Sequence, residues 1–283
     1  MRKFIAHLTL FFSIALFLIL LCWGMLYMTI RDNATFDIDN STKYVVLGPS
    51  HSECSFDDSF IEHLENFSRS GESYCYTYAK LKCILANNKQ IDTVFVEFSN
   101  PFIYDNDEWL WSNKYLQFHY VTFAPFLSFA DHVYLFKKHF FSWCRTTPFF
   151  IKDATKKTLK NNYNFSIYGG YLKGDAVLDS TQIQSRLELG NIDVQLYFMD
   201  KIVELCHNTG VELIFVRSPL YPKFKYWCTE VQFQQIRNTR YSEVPFWDFG
   251  QFLPESKYFR DFHHLNQTGS EKFSKNFNDL LNK

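Results

Sequence analysis

Tyr44-Val45-Val46-Leu47-Gly48-Pro49-Ser50-His51 is a short apolar, β-branched run that stops at Gly-Pro and delivers a serine. Its length and composition read as a buried strand, and the abrupt stop reads as a turn at the strand's carboxyl end. In an open parallel sheet, ligands bind beyond those ends, so Ser50 stands where a nucleophile would be useful.

The same rhythm continues along the chain. Residues 56–67 read as a short helix, and residues 74–85 place Tyr74, Tyr78, Leu81 and Leu85 on one helical face. Thr93-Val94-Phe95-Val96 is a second apolar strand. Residues 192–206 space Ile192, Leu196, Met199, Ile202 and Cys206 as a helix, Asn208-Thr209-Gly210 stops it, and residues 211–216 form another strand. A weaker strand at 244–247 and a final helix carrying Phe273, Phe277, Leu280 and Leu281 complete the pattern. Apolar strands alternating with amphipathic helices predict an α/β fold, a parallel sheet covered on both faces. Between about 101 and 190 the alternation fails and aromatic residues crowd, as in Phe118-His119-Tyr120-Val121-Thr122-Phe123. This segment reads as a helical and irregular insertion packed over one end of the sheet.

Residues 4–30 contain no Asp, Glu, Lys or Arg, and a stretch of about 20 apolar residues suffices to cross a bilayer. The apolar core is longer than a cleaved signal needs and no small-x-small site follows it, so residues 1–30 read as a cytoplasmic tip and an uncleaved transmembrane signal-anchor. Arg2 and Lys3 before the span favour a cytoplasmic N-terminus and a domain that is periplasmic or extracellular. Polar residues 31–42 read as a stalk, and the folded domain is expected over 43–283. The formal net charge of the 283 residues is −1, which gives no basic field for nucleic acid. The six cysteines beyond the anchor show no metal-ligand spacing, and no metal or other cofactor is expected.

A serine hydroxyl needs a base to become a nucleophile. Near the C-terminus, Asp261-Phe262-His263-His264-Leu265-Asn266 supplies one: Asp261 could turn back within a tight loop and orient His264, with His263 as the competing base. Acyl transfer also needs oxyanion donors. The Ser50 backbone N–H is one; Gly71, in Ser70-Gly71-Glu72-Ser73, and Asn100, just past the second strand, are further candidates.

Together, Val45-Val46-Leu47-Gly48-Pro49-Ser50-His51, the Ser70-Gly71-Glu72-Ser73 loop and the Asp261–Asn266 stretch with Gly269 resemble the SGNH (GDSL-like) hydrolase superfamily, over residues 43–283. Within it the chain looks most like the membrane-anchored branch of cell-envelope acyl transfer, which includes D-alanine transfer to teichoic acids and alginate O-acetylation. The resemblance implies a flavodoxin-like three-layer α/β/α sandwich, Ser50 as nucleophile, Asp261 and His264 as its partners, and Gly71 and Asn100 as oxyanion donors. It also implies an esterase or O-acyltransferase that handles a small acyl group, acetyl first, on an envelope polysaccharide, with an integral-membrane acyltransferase as a possible partner. Two positions depart from the pattern: Pro49 stands where the superfamily usually has Asp, and Phe98-Ser99-Asn100-Pro101 where it has Gly-x-Asn-Asp. The alternative expectation is a catalytically inactive relative that binds polysaccharide or scaffolds a membrane acyltransferase.

Overall fold

The computed structural model describes residues 1–104, 119–184, 186, 187 and 189–283. Residues 105–118, including Phe118 and much of the aromatic insertion's first part, lie outside the described residues. The chain divides into two compact units, Phe36–Ser112 with Ser166–Lys283, and Met1–Thr35 with Asn113–Phe165.

The larger unit is built on five parallel strands, β1 (Tyr44–Leu47), β2 (Leu64–Asn66), β3 (Thr93–Glu97), β4 (Glu212–Arg217) and β5 (Phe246–Asp248), in the order β2-β1-β3-β4-β5. This is the flavodoxin-like arrangement, in which the strand order reverses between β1 and β3 and leaves a crevice beyond their carboxyl ends. Six further elements of this unit are α2 (Ser50–Ser55), α3 (Tyr74–Asn87), α4 (Asn100–Tyr104), α7 (Asp193–Thr209), α8 (Glu230–Arg240) and α9 (Gln267–Leu281).

Strand alternation sorts the core into two faces. Phe95 and Trp247 meet Phe277 of α9, which with Phe273 also packs on Phe56. On the opposite face Phe98 and Phe215 stack at 4.6 Å and meet Phe233 of α8 and Tyr241. Helix α7 ends as its sequence predicts, with Gly210 in the left-handed conformation at φ 71°.

The smaller unit holds α1 (Arg2–Asn33), α5 (Phe129–Lys138) and α6 (Phe140–Leu159). Helix α1, 32 residues long, is long and apolar enough to cross a membrane.

Three readings change. The expected helix at 56–67 is instead a 3-10 turn at Asp58–Phe60 and the strand β2; His63 adopts φ 60°, and Leu64, Glu65 and Asn66 pair with Tyr44, Val45 and Val46. The apolar spacing there mimics a helical stripe, but ladder bonding to β1 wins over local periodicity. The expected stalk does not begin at 31: α1 continues to Asn33, and Phe36 and Ile38 are buried. Finally, Asn113–Phe165 of the insertion groups with α1, and Ser166 onward rejoins the sheet unit.

Candidate active site

Ser50 is the first residue of α2, immediately beyond the carboxyl end of β1. The turn that carries it needs glycine at 48, because a Cβ there would lie 2.6 Å from Glu97 Cβ and 2.7 Å from Ser52 Oγ. Glu97, fully buried at the end of β3, accepts hydrogen bonds from Ser52 Oγ at 2.8 Å and Ser218 Oγ at 2.6 Å. Burial raises the Glu97 pKa while these hydroxyl donors oppose the rise. One carboxylate thus ties the ends of β3 and β4 to the first turn of α2.

Asp261, His263 and His264 lie on a loop closed at its base by the Phe259–Leu265 antiparallel bridge and by Arg260 N–H donating to His264 C=O at 3.0 Å. Asn266 caps α9 by accepting from Gly269 N–H at 3.0 Å, and its amide donates to Lys257 C=O at 2.7 Å. Gly269 is required here, since a Cβ would sit 2.1 Å from Tyr258 C=O.

Within this loop the Asp261 carboxylate accepts both the His263 and His264 backbone N–H groups at 2.9 Å, and its second oxygen lies 2.7 Å from His264 Nδ1. His264 Nε2 lies 2.6 Å from Ser50 Oγ. An ionised carboxylate only accepts, so Nδ1 carries the ring proton and Nε2 accepts from the Ser50 hydroxyl. Burial alone would raise the Asp261 pKa, but the His264 hydrogen bond and the two imidazoles outweigh it and hold the carboxyl well below the usual carboxylate range. An oriented neutral imidazole on a serine hydroxyl can take the proton as oxygen attacks a carbonyl.

It is the His264 ring that reaches Ser50. His263 stacks on Phe224 at 5.0 Å and 18°, and burial there, with the neighbouring His264, pushes its pKa down to about 3. His51, which is buried where His263 is only partly so, is held neutral by desolvation and by both other imidazoles. The three histidines present nitrogens within 4.8 Å of one another. Both His264 nitrogens are already hydrogen-bonded, so an ion could enter only if the Ser50 or Asp261 contact were given up.

The oxyanion candidates separate. Gly71 is buried with φ 72°, in a loop that runs beside the end of β1 through Arg69 N–H to Gly48 C=O at 2.9 Å. A fully buried ion pair pins that loop: Lys80 Nζ donates to Glu72 at 2.7 Å and to Phe67 C=O at 2.6 Å, while Thr77 Oγ1 donates to Glu72 at 3.1 Å. The Ser50 N–H, in the first turn of α2, has no intrahelical acceptor. Asn100 is turned to other work: its amide donates to Thr229 Oγ1 at 3.3 Å and Glu230 at 3.0 Å, and its carbonyl accepts from Arg217 at 2.9 Å. Arg217 also holds Asp248 and Glu230. Asn100 therefore braces the ends of β3, β4 and β5, and its amide is not a donor to spare for an oxyanion.

Sequence reasoning missed Glu97, Lys80 and Glu72. Glu97 left a signal, a carboxylate ending the apolar strand Thr93-Val94-Phe95-Val96; the Lys80–Glu72 pair, eight positions apart across a turn, left none.

The chain is similar to a Streptococcus pneumonia protein provisionally described as a platelet activating factor, at 11% identity and a TM-score of 0.44, with 96% of this chain and 99% of that one covered. It is likewise similar to a Bacteroides fragilis protein provisionally described as an acylhydrolase, at 11% identity and a TM-score of 0.40, with 90% of this chain and 94% of that one covered. A family profile matches residues 184–283. No curated protein matches the sequence.

Proposed function

We propose that the chain is a membrane-anchored SGNH-like serine enzyme that removes or transfers a small acyl group, acetyl first, on a cell-envelope polysaccharide. The observation that carries this reading is the Ser50–His264–Asp261 relay, with contacts of 2.6 and 2.7 Å, at the carboxyl end of β1. Ser50 Oγ attacks the acyl carbonyl as its proton passes to His264 Nε2, and Asp261 holds the imidazolium. The Ser50 and Gly71 N–H groups receive the negative charge on the carbonyl oxygen. His264 returns the proton to the departing sugar oxygen, leaving an acyl-serine that water or a second sugar hydroxyl resolves. Helix α1 tethers the site to the envelope, N-terminus in the cytoplasm, where an integral-membrane acyltransferase would be a natural partner.

The test is a fluorescent serine-directed phosphonate and p-nitrophenyl acetate, applied to the full chain and to Ser50→Ala and His264→Ala. Labelling and turnover should disappear in both variants. A folded wild-type protein that does neither would shift the reading to the binding or scaffolding role, for which the commitment of the Asn100 amide to Glu230 and Thr229 is the motivating observation.

A further inference from the structure

We propose that the α5–α6 hairpin is a second membrane contact, an aromatic and basic tip that lies in bilayer lipid beside α1. This rests on reading α1 as a membrane span. The large apolar side chains of α1 stand exposed through Leu21, whereas from Cys22 the helix is covered along one side and Ile30 is buried. The cover is the hairpin and the turn before it: Tyr27 donates its hydroxyl to Leu127 C=O at 2.6 Å, and the Trp23 ring meets Phe150 at 5.7 Å and His132 at 6.0 Å. Further on, Thr35 bonds Tyr163 and Phe165 through the backbone. From Phe150 to Tyr163 the chain therefore advances with α1, from Trp23 to Thr35. The start of α6 and the turn at His139 consequently lie back toward the uncovered apolar half of α1.

That tip has the composition of a lipid interface. Phe136 contacts Phe140 at 4.9 Å and Trp143 at 5.3 Å, Phe140 contacts Phe141 at 5.2 Å, and Phe141 is 79% exposed. Lys137, Lys138 and Arg145, all exposed, flank the rings. Aromatic rings favour the headgroup level, and long cationic side chains lay their stems along apolar surface while their heads reach anionic phosphates. The patch is continuous with the face of α1 that must meet acyl chains, which favours lipid over a protein as its occupant.

Cys144, within the tip, and Cys228, in the sheet unit, are both exposed and serve as internal reporters. The full chain would be reconstituted in phosphatidylethanolamine–phosphatidylglycerol vesicles, treated with a charged, water-soluble maleimide, and mapped by peptide mass. Expected are a carbonate-resistant protein, labelling at Cys228, no labelling at Cys144, and recovery of Cys144 labelling in a Phe140→Glu/Phe141→Glu variant. The buried Cys54 and Cys206 should stay unlabelled and so report folding. Cys144 labelling equal to Cys228 in carbonate-resistant wild type would overturn the hairpin contact while leaving the α1 span intact. Protection that persists in the double variant would assign it to packing within the protein and also overturn the proposal. Protection confined to native membranes would point to a protein occupant and overturn the lipid. Extraction by carbonate would remove the span reading itself.

Discussion

The two units invert the usual surface rule in opposite ways. The sheet unit hides charge, with Glu72, Lys80, Glu97 and Arg217 all buried, while the α1 unit displays Phe11, Phe17, Phe140 and Phe141 on its outside. Each inversion fits a different demand. Buried charge fully hydrogen-bonded fixes the backbone where a hydroxyl and an imidazole must meet within tenths of an ångström. Exposed apolar surface is tolerable where the surroundings are hydrocarbon.

Breaking the polar unit should give the largest effects. Ser50→Ala should lower p-nitrophenyl acetate turnover by on the order of 10⁴-fold or more with the thermal midpoint nearly unchanged, and steady-state kinetics beside a melting curve would separate the two. Next comes Lys80→Met, which strands the Glu72 carboxylate and should cost about 3–5 kcal/mol in urea denaturation. The double replacement Glu72→Leu/Lys80→Met should recover much of that stability but not the loop geometry, so turnover would stay low. If the single variant were neutral, the claim that this pair pins the Gly71 loop would fail.

A pH experiment sharpens the comparison further. Folding lowers the His263 pKa from 6.5 to about 3, so between those values the unfolded chain binds a proton that the folded chain refuses. Stability should therefore fall as the pH drops through 6.5 toward 3, and His263→Phe should flatten that slope in melting curves recorded across the window. The smallest effect belongs to the other unit: in detergent, Phe141→Ser should move stability by no more than about 0.5 kcal/mol, because the ring packs on little of the protein. A large drop would mean that the ring is core after all.

Sequence reasoning reached the sheet, the residues that meet as Ser50, His264 and Asp261, and the apolar helix because each has a local signature: an apolar β-branched run, an Asp-x-x-His loop, a long uncharged stretch. It failed at β2, only three residues long, whose strand character exists through pairing with β1. It missed α8 for a related reason: only Phe233 of that helix is buried, so no apolar stripe marks it. The engagement of the Asn100 amide was not legible because its orientation is set by Arg217, Thr229 and Glu230, more than a hundred positions away. Side chains whose duties are decided by distant partners carry no sign of them in the neighbouring residues.

The backbone bond from Gly190 N–H to Tyr104 C=O, 3.0 Å long, joins the two ends of the segment between α4 and α7, whose last part, from Ser166, has already rejoined the sheet unit. Closing a loop costs entropy that grows only with the logarithm of its length. Residues could therefore be gained or lost in the part that groups with α1, up to Phe165, at little thermodynamic expense to the strands, whereas the part after it bonds the sheet unit through Leu172 N–H to Glu53 C=O and Leu178 N–H to Phe259 C=O. That part of the chain is therefore open to lengthening, shortening or replacement while the strand that ends at Ser50 keeps its partners.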